Sequence, residues 1–222
     1  MVDMRLSCST ARIALLSLLL VAGSISAREQ TLVVLGDSLS AAHGMDMAQG
    51  WVHLLRDRLE QSVGQTRVIN ASVSGETTSG GLARLPGLLE RHRPDWLILE
   101  LGGNDGLRGL PLPQMHANLL RMVRLARDAD ARVLLVGMKL PPNYGPVYTR
   151  SFETVYREIA RQTGAPLVPF LLEGVAGSDR LMQPDNIHAA PEAQAQLLTN
   201  VWAVLEPLIT PGPGETGHNG SS

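Results

Sequence analysis

The sequence predicts a three-layer, doubly wound α/β domain on a five-stranded parallel sheet, and three observations predict it. Apolar runs of strand length alternate along the chain with longer stretches whose apolar residues recur at helical spacing. Those strand-length runs are nearly continuous, which suits strands covered by helices on both faces. Polar segments follow the first, second, third and fifth of them, where a doubly wound sheet gathers its ligand-binding loops.

The strands predicted in order are Leu32–Leu35, Arg67–Asn70, Trp96–Leu101, Val133–Met138 and Pro166–Phe170. Between the first two, Trp51, Leu54, Leu55 and Leu59 form a helical stripe. Leu82, Leu85, Leu88 and Leu89 form the next, then Met115, Leu119, Met122, Val123 and Ala126. Phe152, Val155, Ile159 and Ala160 follow, and Leu197, Leu198, Val201, Val204 and Leu205 close the series. Strict alternation of this kind requires right-handed crossovers between parallel neighbours.

The two ends stand apart. Arg5 and Arg12 precede the apolar stretch Ile13–Gly23, with small residues up to Ala27, so residues 1–27 read as a cleavable export signal. The stretch is short for a membrane span. Cys8, the single cysteine, falls inside that segment, so a processed chain carries no disulfide, thiolate metal site or cysteine nucleophile. Residues 28–210 have the length of one α/β domain, and 211–222, almost without apolar content, read as a disordered tail. A formal net charge of −2 gives no reason to expect a nucleic-acid partner. The six histidines show no metal-ligand spacing, and no cofactor is expected. Export points to a periplasmic or secreted protein.

The segments at the strand ends supply the parts of an acyl-transfer site. Such a site needs a nucleophile, a base, an orienter for the base, and donors aimed at the oxygen where charge develops. Ser38, in Gly36-Asp37-Ser38-Leu39-Ser40, is held by a rigid scaffold yet open, as a nucleophile requires. His188 is the expected base, and Asp185, three residues earlier, can fold back to hold its ring. The expected oxyanion donors are the backbone amides of Ser38 and Gly75 and the side-chain amide of Asn104. Asp37 reads as a turn residue bonding local amides, outside the triad. His43 is the one rival base, close to Ser38 but without an acid placed as Asp185 is. Ser38 has an alternative reading as a helix cap, and Asn104 as a turn residue between glycines.

Four blocks carry a family resemblance. Ser38, Gly75, Asn104 and His188 match the Ser, Gly, Asn and His that name the SGNH, or GDSL, hydrolase superfamily. More specifically, residues 31–40, 70–86, 99–109, the segment Leu140-Pro141-Pro142-Asn143-Tyr144-Gly145 and residues 185–188 resemble its exported thioesterase I, protease I and lysophospholipase branch, also called arylesterases. The resemblance implies a flavodoxin-like sheet and hydrolysis of thioesters, aryl esters and lysophospholipids. One departure stands out: the family pattern has proline directly after the histidine, where this chain has Ala189 and only later Pro191.

The expected substrate is a small acyl ester or thioester, with transient contact to lipid substrates, acted on by a monomer. Residues 107–115 and 141–147 are expected to line the acyl pocket, with Leu107, Pro142 and Tyr144 touching substrate. Two alternatives share the fold: a carbohydrate O-acetyl esterase with a more open, polar cleft, and a non-catalytic lipid-binding protein. Nucleotide binding is disfavoured because the first loop lacks a phosphate-cradling glycine pattern.

Overall fold

The computed structural model describes residues 29–210; the export signal expected over 1–27 and the tail expected over 211–222 lie outside the described residues. Five strands form one parallel sheet: β1 (Gln30–Gly36), β2 (Thr66–Asn70), β3 (Trp96–Glu100), β4 (Arg132–Val136) and β5 (Leu167–Val168), in the order β2-β1-β3-β4-β5. This is the flavodoxin-like order. The crossovers carry α1 (Trp51–Ser62), α2 (Thr78–His92), α3 (Gly103–Leu107), α4 (Leu112–Asp128) and α5 (Pro146–Thr163), and α6 (Gln194–Ile209) follows the last strand. Helix α1 packs beside α6, while α4 packs between α2 and α5, giving one helical layer on each face.

Burial follows position in the sheet. Leu32 to Leu35 of central β1 and all five residues of β3 are buried, because helices cover both faces. Edge strand β2 instead has no fully buried residue and leaves Arg67 and Asn70 exposed. At the other edge only Leu167 and Val168 pair with β4, a shorter ladder than the run Pro166–Phe170 suggested. Pro166 and Pro169 have no N–H to give a ladder, and they bracket those two residues.

The helical stripes face the core, with Leu54, Leu82, Leu88 and Ala160 half-buried at their margins. In α6 the buried face is Leu197, Val201, Trp202, Leu205 and Ile209, whereas Leu198 and Val204 are half-buried at its margin. Residues 103–107, read in the sequence as loop, form the single turn α3, so Asn104 sits on a helix.

The order of the strands fixes where the site lies. The chain leaves β1 toward β2 on one side and returns to β3 on the other, so the loops after β1 and β3 diverge and open a crevice at their carboxyl ends.

Candidate active site

Ser38 leaves the sheet at the end of β1. The Asp37 carboxylate accepts the Leu39 amide at 3.0 Å, and bonds from Ala41 N–H to the Asp37 carbonyl and from His43 N–H to the Ser38 carbonyl wind the chain into a tight turn. Helix α1 begins only after Gly50, its N-cap, so Ser38 caps no helix of this fold. Gly36 is required by packing: a Cβ there would lie 2.7 Å from both Glu100 Oε2 and Ser40 Oγ.

Glu100 is the residue that the sequence pattern concealed. It ends β3 in register with Gly36 and is fully buried. Its Oε2 accepts the Ser40 hydroxyl at 2.7 Å and the Asp37 amide at 3.3 Å, while Oε1 has no partner. Burial first, and the neighbouring Asp37 second, push its carboxyl well above the usual range. Burial likewise raises Asp37 to about 6, against the Leu39 amide, the Asn104 amide and His188, which favour its charge.

His188 comes from the loop before α6. Asp185 Oδ1 accepts the amides of Ile187 and His188, each at 3.0 Å, and Oδ2 lies 2.6 Å from His188 Nδ1. That pairing puts the proton on Nδ1 and leaves Nε2 free to accept, and Nε2 lies 2.8 Å from Ser38 Oγ. Burial pushes the Asp185 carboxyl up, but the amides and ring of His188 outweigh it and hold the carboxyl at about 2. The loop is closed by the Gln183 amide on the His188 carbonyl and the Ala190 amide on the Leu181 carbonyl. Neither bond uses the Ala189 N–H, so alanine replaces the family's proline with no change in this pairing.

The three expected donors converge on a hollow of about 210 Å³ lined by Ser38, Gly75, Asn104 and His188. Gly75 adopts φ +80°, a left-handed conformation that disfavours any side chain. Asn104 follows Gly102, at φ +113°, and its Nδ2 donates to Asp37 Oδ2 at 3.1 Å, leaving one amide hydrogen. Asp105 anchors α3, its carboxylate accepting the Thr78 amide at 2.8 Å and hydroxyl at 2.6 Å at the start of α2. His43 also borders the hollow, its ring 4.3 Å from that of His188, and has no carboxylate partner among the described residues.

Through Gly103, Leu107, Met138 and Ile187 the hollow adjoins a cavity of about 520 Å³ with mostly apolar walls. Leu107 and Pro142 line it. Tyr144 does not: its hydroxyl donates to the Leu107 carbonyl at 2.9 Å and braces the wall from behind. Leu112, Pro113 and Val147, also expected here, instead border a separate groove between α4 and α5. The opposite wall comes from Phe170, Leu172, Ala176 and Met182 after β5, which carry no motif that sequence reading could use.

Residues 34–196 match the GDSL-like lipase/acylhydrolase family. The chain is 54% identical over 183 residues to esterase TesA of Pseudomonas aeruginosa, covering 82% of this chain and 91% of that one. It is 41% identical over 184 residues to thioesterase 1/protease 1/lysophospholipase L1 of Escherichia coli K12, covering 83% and 87%. Among solved structures, the psychrotrophic esterase EstA of a Pseudoalteromonas species, inhibited by monoethylphosphonate, superposes with a TM-score of 0.77 at 39% identity, covering 82% and 99%.

Proposed function

The chain belongs to the GDSL-like lipase/acylhydrolase family, and from that premise we propose an exported serine esterase and thioesterase working through Ser38, His188 and Asp185. Its relatives at 41–54% identity bear the names esterase and thioesterase, and the activity is that of a serine ester hydrolase. The observation that carries the residue assignment is the linear relay Ser38 Oγ, His188 Nε2, His188 Nδ1, Asp185 Oδ2, with gaps of 2.8 and 2.6 Å at its two hydrogen bonds.

The chemistry follows from that relay. His188 Nε2 takes the Ser38 proton as Oγ attacks the acyl carbonyl, and the carbonyl oxygen gains its charge against the amides of Ser38, Gly75 and Asn104. The imidazolium then protonates the leaving alkoxide or thiolate, which departs as alcohol or thiol and leaves Ser38 acylated. Water, deprotonated by the same nitrogen, releases the carboxylic acid and restores the serine. Asp185, ionised throughout, steadies the imidazolium in both halves.

The apolar cavity beside the hollow supports an acyl chain as the group transferred. A carbohydrate acetyl esterase would call for an open, polar cleft in that place. The export reading rests on residues 1–27; among the described residues no helix is long and apolar enough to cross a membrane. A fluorophosphonate probe tests the site: mass spectrometry should find the adduct on Ser38, and Ser38→Ala should abolish both labelling and ester turnover. Labelling elsewhere, or turnover surviving in that variant, overturns the assignment.

A further inference from the structure

Arg108 ends the turn that carries Asn104, its amide donating to the Asn104 carbonyl at 3.1 Å. Its exposed side chain runs back over that turn rather than into solvent. Nη2 donates to the Gly75 carbonyl at 3.0 Å and lies 3.4 Å from Asn104 Oδ1. These are the two proposed oxyanion donors that lie outside the loop after β1. We propose that Arg108 is a positioning residue for the oxyanion hole, one guanidinium fixing both Gly75 and Asn104 from behind. The inference rests on the assignment of those two residues as donors.

Each half of the contact does separate work. Gly75, at φ +80° and without a side chain, is the donor with the greatest freedom to swing, and pinning its carbonyl restrains the residue whose N–H must point at the substrate. A Cβ at position 75 would come within 3.4 Å of Nη2, which shows how closely the guanidinium covers that loop. Asn104 is held at opposite ends, Oδ1 by Arg108 and Nδ2 by Asp37. A cation at the amide oxygen and a carboxylate at the nitrogen also settle which way round the amide lies and leave one Nδ2 hydrogen free. With only one end held, the amide can rotate about its terminal torsion, whose well is broad.

The competing role for an exposed arginine beside an active site is to anchor an anionic substrate. Position argues against it here. Arg108 borders neither the hollow over Ser38 nor the apolar cavity, and it makes no ion pair among the described residues. Its contacts are the outer sides of the donors, away from the space that substrate occupies.

The two roles separate in steady-state kinetics on the full protein, with neutral p-nitrophenyl butyrate and anionic palmitoyl-CoA as substrates. Arg108→Met should lower kcat about ten- to a hundredfold on both, because displaced donors act on the transition state, with KM changed by less than about twofold. Arg108→Lys should recover part of the loss, since an ammonium keeps the charge and donors near both acceptors but lacks the planar guanidinium that fixes their direction. In an Asn104→Ala background, Arg108→Met should cost less than in the parent, because part of its effect passes through the missing amide. Unchanged kcat in Arg108→Met, a KM rise confined to palmitoyl-CoA, or fully additive losses would each overturn the proposal. Parental kcat in Asn104→Ala itself would mark a different failure, that of the donor assignment.

Discussion

Asn104 Nδ2 donates to the buried carboxylate of Asp37 at 3.1 Å. The aspartate next to Ser38 therefore bonds Asn104, the proposed oxyanion donor, and not His188, whose own carboxylate partner is Asp185. On the proposed assignment, the one loop after β1 supplies the reacting hydroxyl, one backbone donor, and the acceptor that orients the side-chain donor.

Replacing Asn104 with Ala removes a donor whose contribution appears as charge develops. The expected loss is about a hundred- to a thousandfold in kcat with KM little altered, the scale of removing one oxyanion donor in other acyl transferases. Steady-state hydrolysis of p-nitrophenyl butyrate measures it. A loss confined to KM would mean that Asn104 only helps to hold the ground state.

Asp185→Asn separates the structural work of this residue from its electrostatic work. The amide oxygen can still accept the Ile187 and His188 N–H groups that Oδ1 now accepts, so the loop and the melting temperature should persist. The charge that stabilises the imidazolium is gone, and kcat should fall by roughly 10⁴-fold, as in serine enzymes of the same geometry. Because the carboxyl titrates at about 2, no loss of activity between about pH 4 and 7 should trace to this group.

Much of this site was legible because its chemistry sits in loops whose residues have no other reason to be there. Ser38, Asn104 and the pair Asp185 and His188 are polar residues at the ends of apolar runs, and a parallel sheet brings such ends to one rim. Glu100 escaped because it sits inside the predicted strand Trp96–Leu101 among apolar residues, where the pattern gives a single carboxylate no role; its burial depends on Ser40 and Asp37, far off in sequence. Arg108 escaped because an arginine on a surface turn has no signature until Gly75 is placed opposite. The far wall of the cavity was hidden for the converse reason, since Phe170, Leu172 and Ala176 look like any loop that anchors itself on a core.

The raised carboxyl of Asp37 makes stability depend on pH in a definite direction. Its value is about 6 in the fold against 3.8 ordinarily, so between these pH values the native state binds more protons than the unfolded chain, and stability falls as pH rises. The cost is complete above about pH 6 and amounts to about 3 kcal/mol at most. Asp37→Asn cannot ionise, so its stability relative to the parent should improve from about pH 4 to about pH 7, even though its activity falls with the loosened Asn104. Urea midpoints of both proteins across that range decide it, and a difference that stays constant with pH would rule the effect out.

The apolar cavity should act as a ruler for the acyl chain. It joins the hollow over Ser38 through Leu107, Met138 and Ile187, and Ala176 lines it without bordering that hollow, so Ala176 marks its far part. Ala176 is exposed, which leaves a large side chain room to fold over the cavity without displacing the core. In Ala176→Trp an indole would occupy space that long chains need and short ones do not reach. Each excluded methylene forfeits about 0.8 kcal/mol of burial, so losing two or three should lower kcat/KM on long-chain esters about ten- to a hundredfold. p-Nitrophenyl acetate, whose acyl group adds only one methyl to the carbonyl, should be turned over at the parental rate. Equal losses on acetate and palmitate esters would instead mean that residue 176 acts by disturbing the loop that carries His188, and the cavity would lose its standing as the acyl site.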